Sequence, residues 1–65
     1  MGKLLEEIYD VVTDKAGFKG RTNLAVKTGI SRTKAGEMDD SADLISKFKQ
    51  AADEIVGQDI DKFLK

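Results

Sequence analysis

Sixty-five residues without a cysteine or a histidine make a small domain that must hold together without disulfides and without the commonest metal ligands. A chain of this length buries only about 60% of the surface its unfolded form exposes, so helix packing or a partner chain has to supply the stability. The same two absences leave no hydrolytic triad and no thiol nucleophile, and the expectation is a protein that is not an enzyme and takes no cofactor and no metal.

Charge is distributed unevenly. Residues 15–36 carry six positive charges (Lys15, Lys19, Arg21, Lys27, Arg32, Lys34) and no carboxylate, whereas residues 1–14 sum to −3 and residues 37–65 to −4. The net charge of −1 and a pI near 5.3 therefore hide a polarised molecule. Positive charge gathered on one segment is the footprint of a phosphate-facing surface. Its bland counterpart is a basic face paired to the protein's own acidic helices. Met1-Gly2-Lys3-Leu4-Leu5 runs directly into Glu6 and Glu7, with no apolar stretch long enough for a secretion signal or a membrane span. A cytoplasmic location, with no membrane partner, is the expectation. Gly2 does not read as a myristoylation site, because Glu6 stands where that signal takes Ser or Thr.

The lack of proline and of period-two alternation argues against sheet, and apolar residues recur at helical spacing. Leu4, Leu5, Ile8, Val11 and Val12 form the stripe of a first helix over about residues 3–16, with Lys3, Glu6, Glu7, Asp10, Thr13 and Asp14 opposite. Tyr9 is expected at the rim of that stripe. A Gly17-Phe18-Lys19-Gly20 turn follows, with Phe18 folded back as a core anchor. A short second helix fits residues 22–28, capped by Thr22 or Asn23 and ended by Gly29 in the left-handed conformation. Ile30 returns to the core, and Ser31 caps a third helix reaching about Met38, weakened by Gly36. Asp40 or Ser41 caps a fourth helix with the most regular stripe in the chain: Leu44, Ile45, Phe48, Ala51, Ala52, Ile55 and Val56. Gly57 stops it, and Ile60, Phe63 and Leu64 make a last turn or short helix. The expected architecture is all-α: a compact bundle of four to five short helices forming a single domain over residues 1–65, with a central helix-turn-helix.

Residues 24–38 carry that motif. Leu24-Ala25-Val26-Lys27-Thr28-Gly29-Ile30-Ser31 resembles the helix-turn-helix of bacterial and phage repressors. The family places a small residue on its first motif helix and glycine four positions later at the turn, here Ala25 and Gly29. Two helices crossing steeply need a small side chain at the contact and positive φ at the corner. Leu24, Ile30, Ala35 and Met38 fill the family's apolar places, and Ser31 matches the N-cap of its recognition helix. The resemblance implies double-stranded DNA as partner and a small transcriptional or phage-type regulator, with the second motif helix in the major groove. Its groove-facing positions fall on Ser31, Arg32, Thr33, Gly36 and Glu37; Arg32 suits guanine O6 and N7, and Thr33 a base edge or thymine methyl. Thr22 and Asn23 fall on phosphate, helped by the helix N-terminus, while Arg21, Lys27 and Lys34 add sequence-independent attraction. The chain departs from the pattern at Gly36, which softens the recognition helix, and at Glu37, Asp39 and Asp40, whose carboxylates repel phosphate. A lone domain of this kind gains affinity by dimerising on two half-sites.

A second class of function fits the same residues: a small helical protein–protein interaction module, or a homodimer, that binds no nucleic acid. Ala25 and Gly29 then serve only a tight corner, and the acidic faces of the first and fourth helices are the counter-charges of the basic segment. The two readings part on whether Arg21, Lys27, Arg32 and Lys34 share one face; scatter favours the interaction module. Two other patterns carry nothing. Asp39-Asp40-x-x-Asp43 lacks the spaced ligands of a calcium loop, and Gly17-x-x-Gly20 lacks the strand and the Gly-Lys-Ser/Thr ending of a phosphate loop.

Overall fold

Leu5, Ile8, Tyr9 and Val12, spaced i, i+3, i+4, i+7, give the N-terminal segment one fully buried helical face. In the computed structural model, which describes residues 3–64, this segment opens α1 (Lys3–Thr28). The helix is bent at Gly17 (φ 72°, ψ −167°) into limbs of residues 3–16 and 18–28. There follow α2 (Arg32–Glu37), α3 (Ala42–Val56) and a closing 3-10 turn (Ile60–Phe63).

Three α-helices therefore replace the expected four to five. The two helices expected at 3–16 and 22–28 are parts of one bent element, because Gly17 alone absorbs the change of direction. A glycine at positive φ turns the chain within one residue, so residues 18–20 are free to be helical. Gly20, expected in the turn, is instead a close-packing position: a Cβ there would stand 2.4 Å from Ala16 Cβ and 3.3 Å from Ile55 and Val12. Phe18 is not a core anchor. It is 75% exposed, the bend having left it on the outer side, and Leu24 fills the core from this limb.

The phase of the first limb also differs by one position. Tyr9 is fully buried, while Leu4 and Val11 pack only at the margin. The Tyr9 ring meets Phe48 of α3 edge-on at a centroid distance of 5.7 Å, and its hydroxyl donates to the Ile30 carbonyl. A buried phenol keeps its place only with such a partner.

α3 lies across both limbs. Phe48 and Ala52 are fully buried and Ala51 nearly so, with Leu44, Ile45, Ile55 and Val56 half-buried beside them. Ser41 caps α3, its Oγ accepting the Leu44 N–H at 3.2 Å, and Gly57 ends it at φ 79°. Asp40 has a different task from the one expected. Its carboxylate accepts the Leu4 and Leu5 N–H groups at 3.2 and 3.4 Å, satisfying donors that the start of α1 leaves unpaired. Ile60 closes the bottom of the core, its N–H held by Asp53 at 2.9 Å.

Candidate nucleic-acid interface

The corner between α1 and α2 is built by three local devices. Gly29 has φ 74° and its N–H donates to the Ala25 carbonyl at 2.8 Å, so the helix ends there in the left-handed conformation. Ser31 starts α2, its Oγ accepting the Lys34 N–H at 3.2 Å. Thr28 is buried; its hydroxyl donates to the Leu24 carbonyl at 2.7 Å and accepts from the Ile30 N–H at 3.3 Å. Together with the Tyr9–Ile30 bond, these contacts fix the direction in which α2 leaves the corner. Leu24 and Ala35 are fully buried, and Ala25, Ile30 and Met38 pack against the core.

On the open side of this corner lies a shallow depression of about 260 Å³. Arg21 and Thr22 reach it from the second limb of α1, and Ser31, Arg32 and Thr33 from the start of α2. Five of the eight residues expected to contact DNA thus converge, from two segments ten residues apart. Phe18, Ala25 and the edge of Tyr9 complete its wall. The Arg21 guanidinium stands 6.0 Å from the centroid of the Phe18 ring.

The remaining three are placed differently. Asn23 is exposed on the adjoining face of the second limb, with Phe18, Lys19 and Thr22. Lys34 is exposed on α2. Lys27 leaves the group altogether: its Nζ pairs with Glu54 of α3 at 3.1 Å, beside Lys47 and Gln50 at the α1–α3 seam. The four cations of the test posed by the sequence therefore divide, Arg21 and Arg32 meeting at the depression and Lys27 lying at the seam.

Three sequence-based expectations are corrected, at Thr22, Asn23 and Gly36. Thr22 and Asn23 are in the interior of a helical limb, which begins at residue 18, so neither is a cap and no helix N-terminus assists them. Gly36 does not face a groove. A Cβ there would sit 2.7 Å from Glu6 Oε1, which places Gly36 against the first limb of α1. The absence of a side chain lets α2 lie close to Glu6.

Arg32 is half-buried and already has carboxylate partners. Its Nε is 3.3 Å from Asp10 Oδ1, and its Nη2 is 3.9 Å from Glu6 Oε2. Neither contact is visible in the sequence, since 22 residues separate Arg32 from Asp10. Burial pushes the Tyr9 phenol above its ordinary pKa, an effect opposed by its hydrogen bond with Thr28 and by the positive charge of Arg21. The phenol is therefore neutral, which its donated bond to Ile30 requires. Among the described residues no group of carboxylates is arranged to hold a metal ion, and no helix is long and apolar enough to cross a membrane.

No protein-family model, curated protein or solved structure matches the chain. Its own residues carry the functional reading.

Proposed function

We propose that this protein binds double-stranded DNA through the corner of α1 and α2, as a small regulator of the helix-turn-helix kind. The observation that carries the reading is the convergence of Arg21, Thr22, Ser31, Arg32 and Thr33 on one open depression. Two guanidinium groups and three hydroxyls are the donor chemistry that phosphate oxygens and base edges accept. α2, with Arg32 and Thr33 at its start, is the element presented to the major groove, and Lys34 lies beside it for the backbone.

The test is fluorescence anisotropy on random and selected duplexes at low and physiological salt. Binding should weaken steeply with salt, as counterion release demands. Arg32→Ala should cost about 1–3 kcal/mol on a selected site and relax its specificity. Lys27→Ala should change affinity less than Arg21→Ala, because Lys27 is held at the seam by Glu54. No binding at low salt removes the reading.

A second reading, a protein-interaction module or homodimer, is favoured by two observations: the four cations do not share one face, Lys27 being paired with Glu54 at the α1–α3 seam, and Phe18 and Val26 are about three-quarters exposed on the same limb, eight residues apart. Their spacing of two i+4 steps puts both toward one side of the helix. Sedimentation at rising protein concentration tests it, self-association that Val26→Ser abolishes being the supporting result.

A further inference from the structure

We infer that Phe18 is a DNA-contacting residue, and that the depression it borders receives one nucleotide unit of the duplex backbone, deoxyribose on the Phe18 ring and phosphate on Arg21, with Arg32 left to the base edge. The inference rests on the DNA reading above and deepens it, because neither the spacing of the motif nor the family resemblance assigns this position.

Among the described residues, Phe18 is the larger of the two large apolar side chains that the fold leaves in solvent, the other being Val26. Its exposure follows from the backbone: Gly17 turns the chain at φ 72°, and the first residue after it is carried to the outer side of the bend. Nothing in the core would be lost by a smaller residue there. What surrounds the ring is cationic and hydroxylic. Arg21 stands over it at 6.0 Å, and Thr22, Ser31, Arg32 and Thr33 line the depression beside it. Ser31 Oγ accepts the Lys34 N–H and keeps its own proton to donate. A polyanion with apolar patches at regular intervals complements such a wall, and the sugar–phosphate backbone alternates those two characters. The segment from residue 15 to residue 36 has no carboxylate to repel it. Asp10 pairs with Arg32 but does not line the depression, so the guanidinium is shared between that carboxylate and the depression.

An apolar contact and a phosphate contact leave different signatures in salt. Burying ring carbon against a sugar displaces no counterion, whereas neutralising a phosphate does. The experiment measures duplex affinity for the full chain, Phe18→Ala, Phe18→Leu and Arg21→Ala over a range of salt concentrations, with circular dichroism to verify the fold and sedimentation to follow the oligomeric state. Phe18→Ala should weaken binding about five- to tenfold at every salt concentration, with the salt slope unchanged, and Phe18→Leu should restore part of the loss. Arg21→Ala should lower the slope by about one phosphate equivalent. A folded Phe18→Ala variant that binds as tightly as the parent overturns the inference while leaving the DNA reading intact. A parent that binds no duplex overturns both. If Phe18→Ala converts a dimer to a monomer and its affinity loss disappears when monomers are compared, the ring contacts a second copy of the chain, and the inference fails.

Discussion

Two glycines, Gly20 and Gly36, lie inside helices without positive φ, and alanine should act on them in opposite directions. On propensity alone each Gly→Ala change stabilises a helix by about 1 kcal/mol. At Gly20 the new Cβ would stand 2.4 Å from Ala16 Cβ, with Ile55 and Val12 at 3.3 Å. Ala16 Cβ is fixed to the backbone of the other limb, so relief requires the limbs to spread at Gly17. Overpacking of this type costs about 1–3 kcal/mol, enough to outweigh the propensity gain. At Gly36 the obstacle is Glu6 Oε1 at 2.7 Å, the far end of a flexible side chain. Glu6 can swing away and give up its 3.9 Å contact with Arg32, a partly exposed pair worth under about 1 kcal/mol. Thermal unfolding followed by far-ultraviolet circular dichroism separates the two. With the propensity gain subtracted, Gly20→Ala should lower Tm by up to about 15 °C, at roughly 4–8 °C per kcal/mol for a domain of this size, and Gly36→Ala should leave Tm unchanged or raise it by a few degrees. A Gly20→Ala variant more stable than the parent would refute the tight approach of the limbs at the bend.

Asp10→Asn should raise duplex affinity about two- to fivefold at low salt, because the Arg32–Asp10 pair is partly exposed and must be exchanged for phosphate or base on binding. Weaker binding by that variant would mean instead that Asp10 orients Arg32 for its contact. The chain has one tyrosine, so phenolate absorbance reports Tyr9 alone, and its titration midpoint should lie above 10 in the folded protein and fall in denaturant. The folded phenol holds its proton to higher pH than the unfolded one, so this contribution to stability is complete below about pH 10 and is lost as pH rises further; a midpoint at or below 10 would contradict the burial of the ring.

Features set by single residues and their neighbours were legible from the chain. Gly29 and Gly57 take positive φ, and Ser31 and Ser41 cap the helices they precede, because such demands concern three or four consecutive residues. The stripe on α3 was readable for the same reason: seven apolar residues at strict spacing leave one choice of face. The first limb was harder, since Leu4, Leu5, Ile8, Val11 and Val12 fit one stripe and Leu5, Ile8, Tyr9 and Val12 another a step round the helix. Phe48 decides between them, and it is 39 positions away. The glycine pair at 17 and 20 misled because turn and contact use the same residue. Gly17 bends the chain and Gly20 admits Ala16, so the aromatic between them points outward. The site shares this character: the motif named Arg21, Thr22, Ser31, Arg32 and Thr33, while the placement of Lys27 and the partners of Arg32 depend on acidic residues of other segments.

The division of the basic segment bounds the kind of binding it can support. Of its six cations, Lys27 is engaged by Glu54 and Arg32 is shared with Asp10 and Glu6, while Lys15 lies over the Phe63 ring at 4.4 Å, beside Asp14. Among the described residues, Lys19, Arg21 and Lys34 are in no ion pair and would serve the corner with none to exchange. Three neutralised phosphates give a salt slope of about −3, whereas all six would give about −5. A slope of that size supplies attraction and encounter rate, but little of the affinity a regulator requires at physiological salt. On the proposed DNA reading, the missing part has to come from base contacts by Arg32 and Thr33, from apolar contact by Phe18, and from a second copy on a neighbouring half-site. Such a division favours specific over non-specific binding. On that reading a domain with few free cations would be held weakly on random sequence, and Asp10 and Glu6 would raise the threshold further, releasing Arg32 only where the duplex offers something better than a carboxylate.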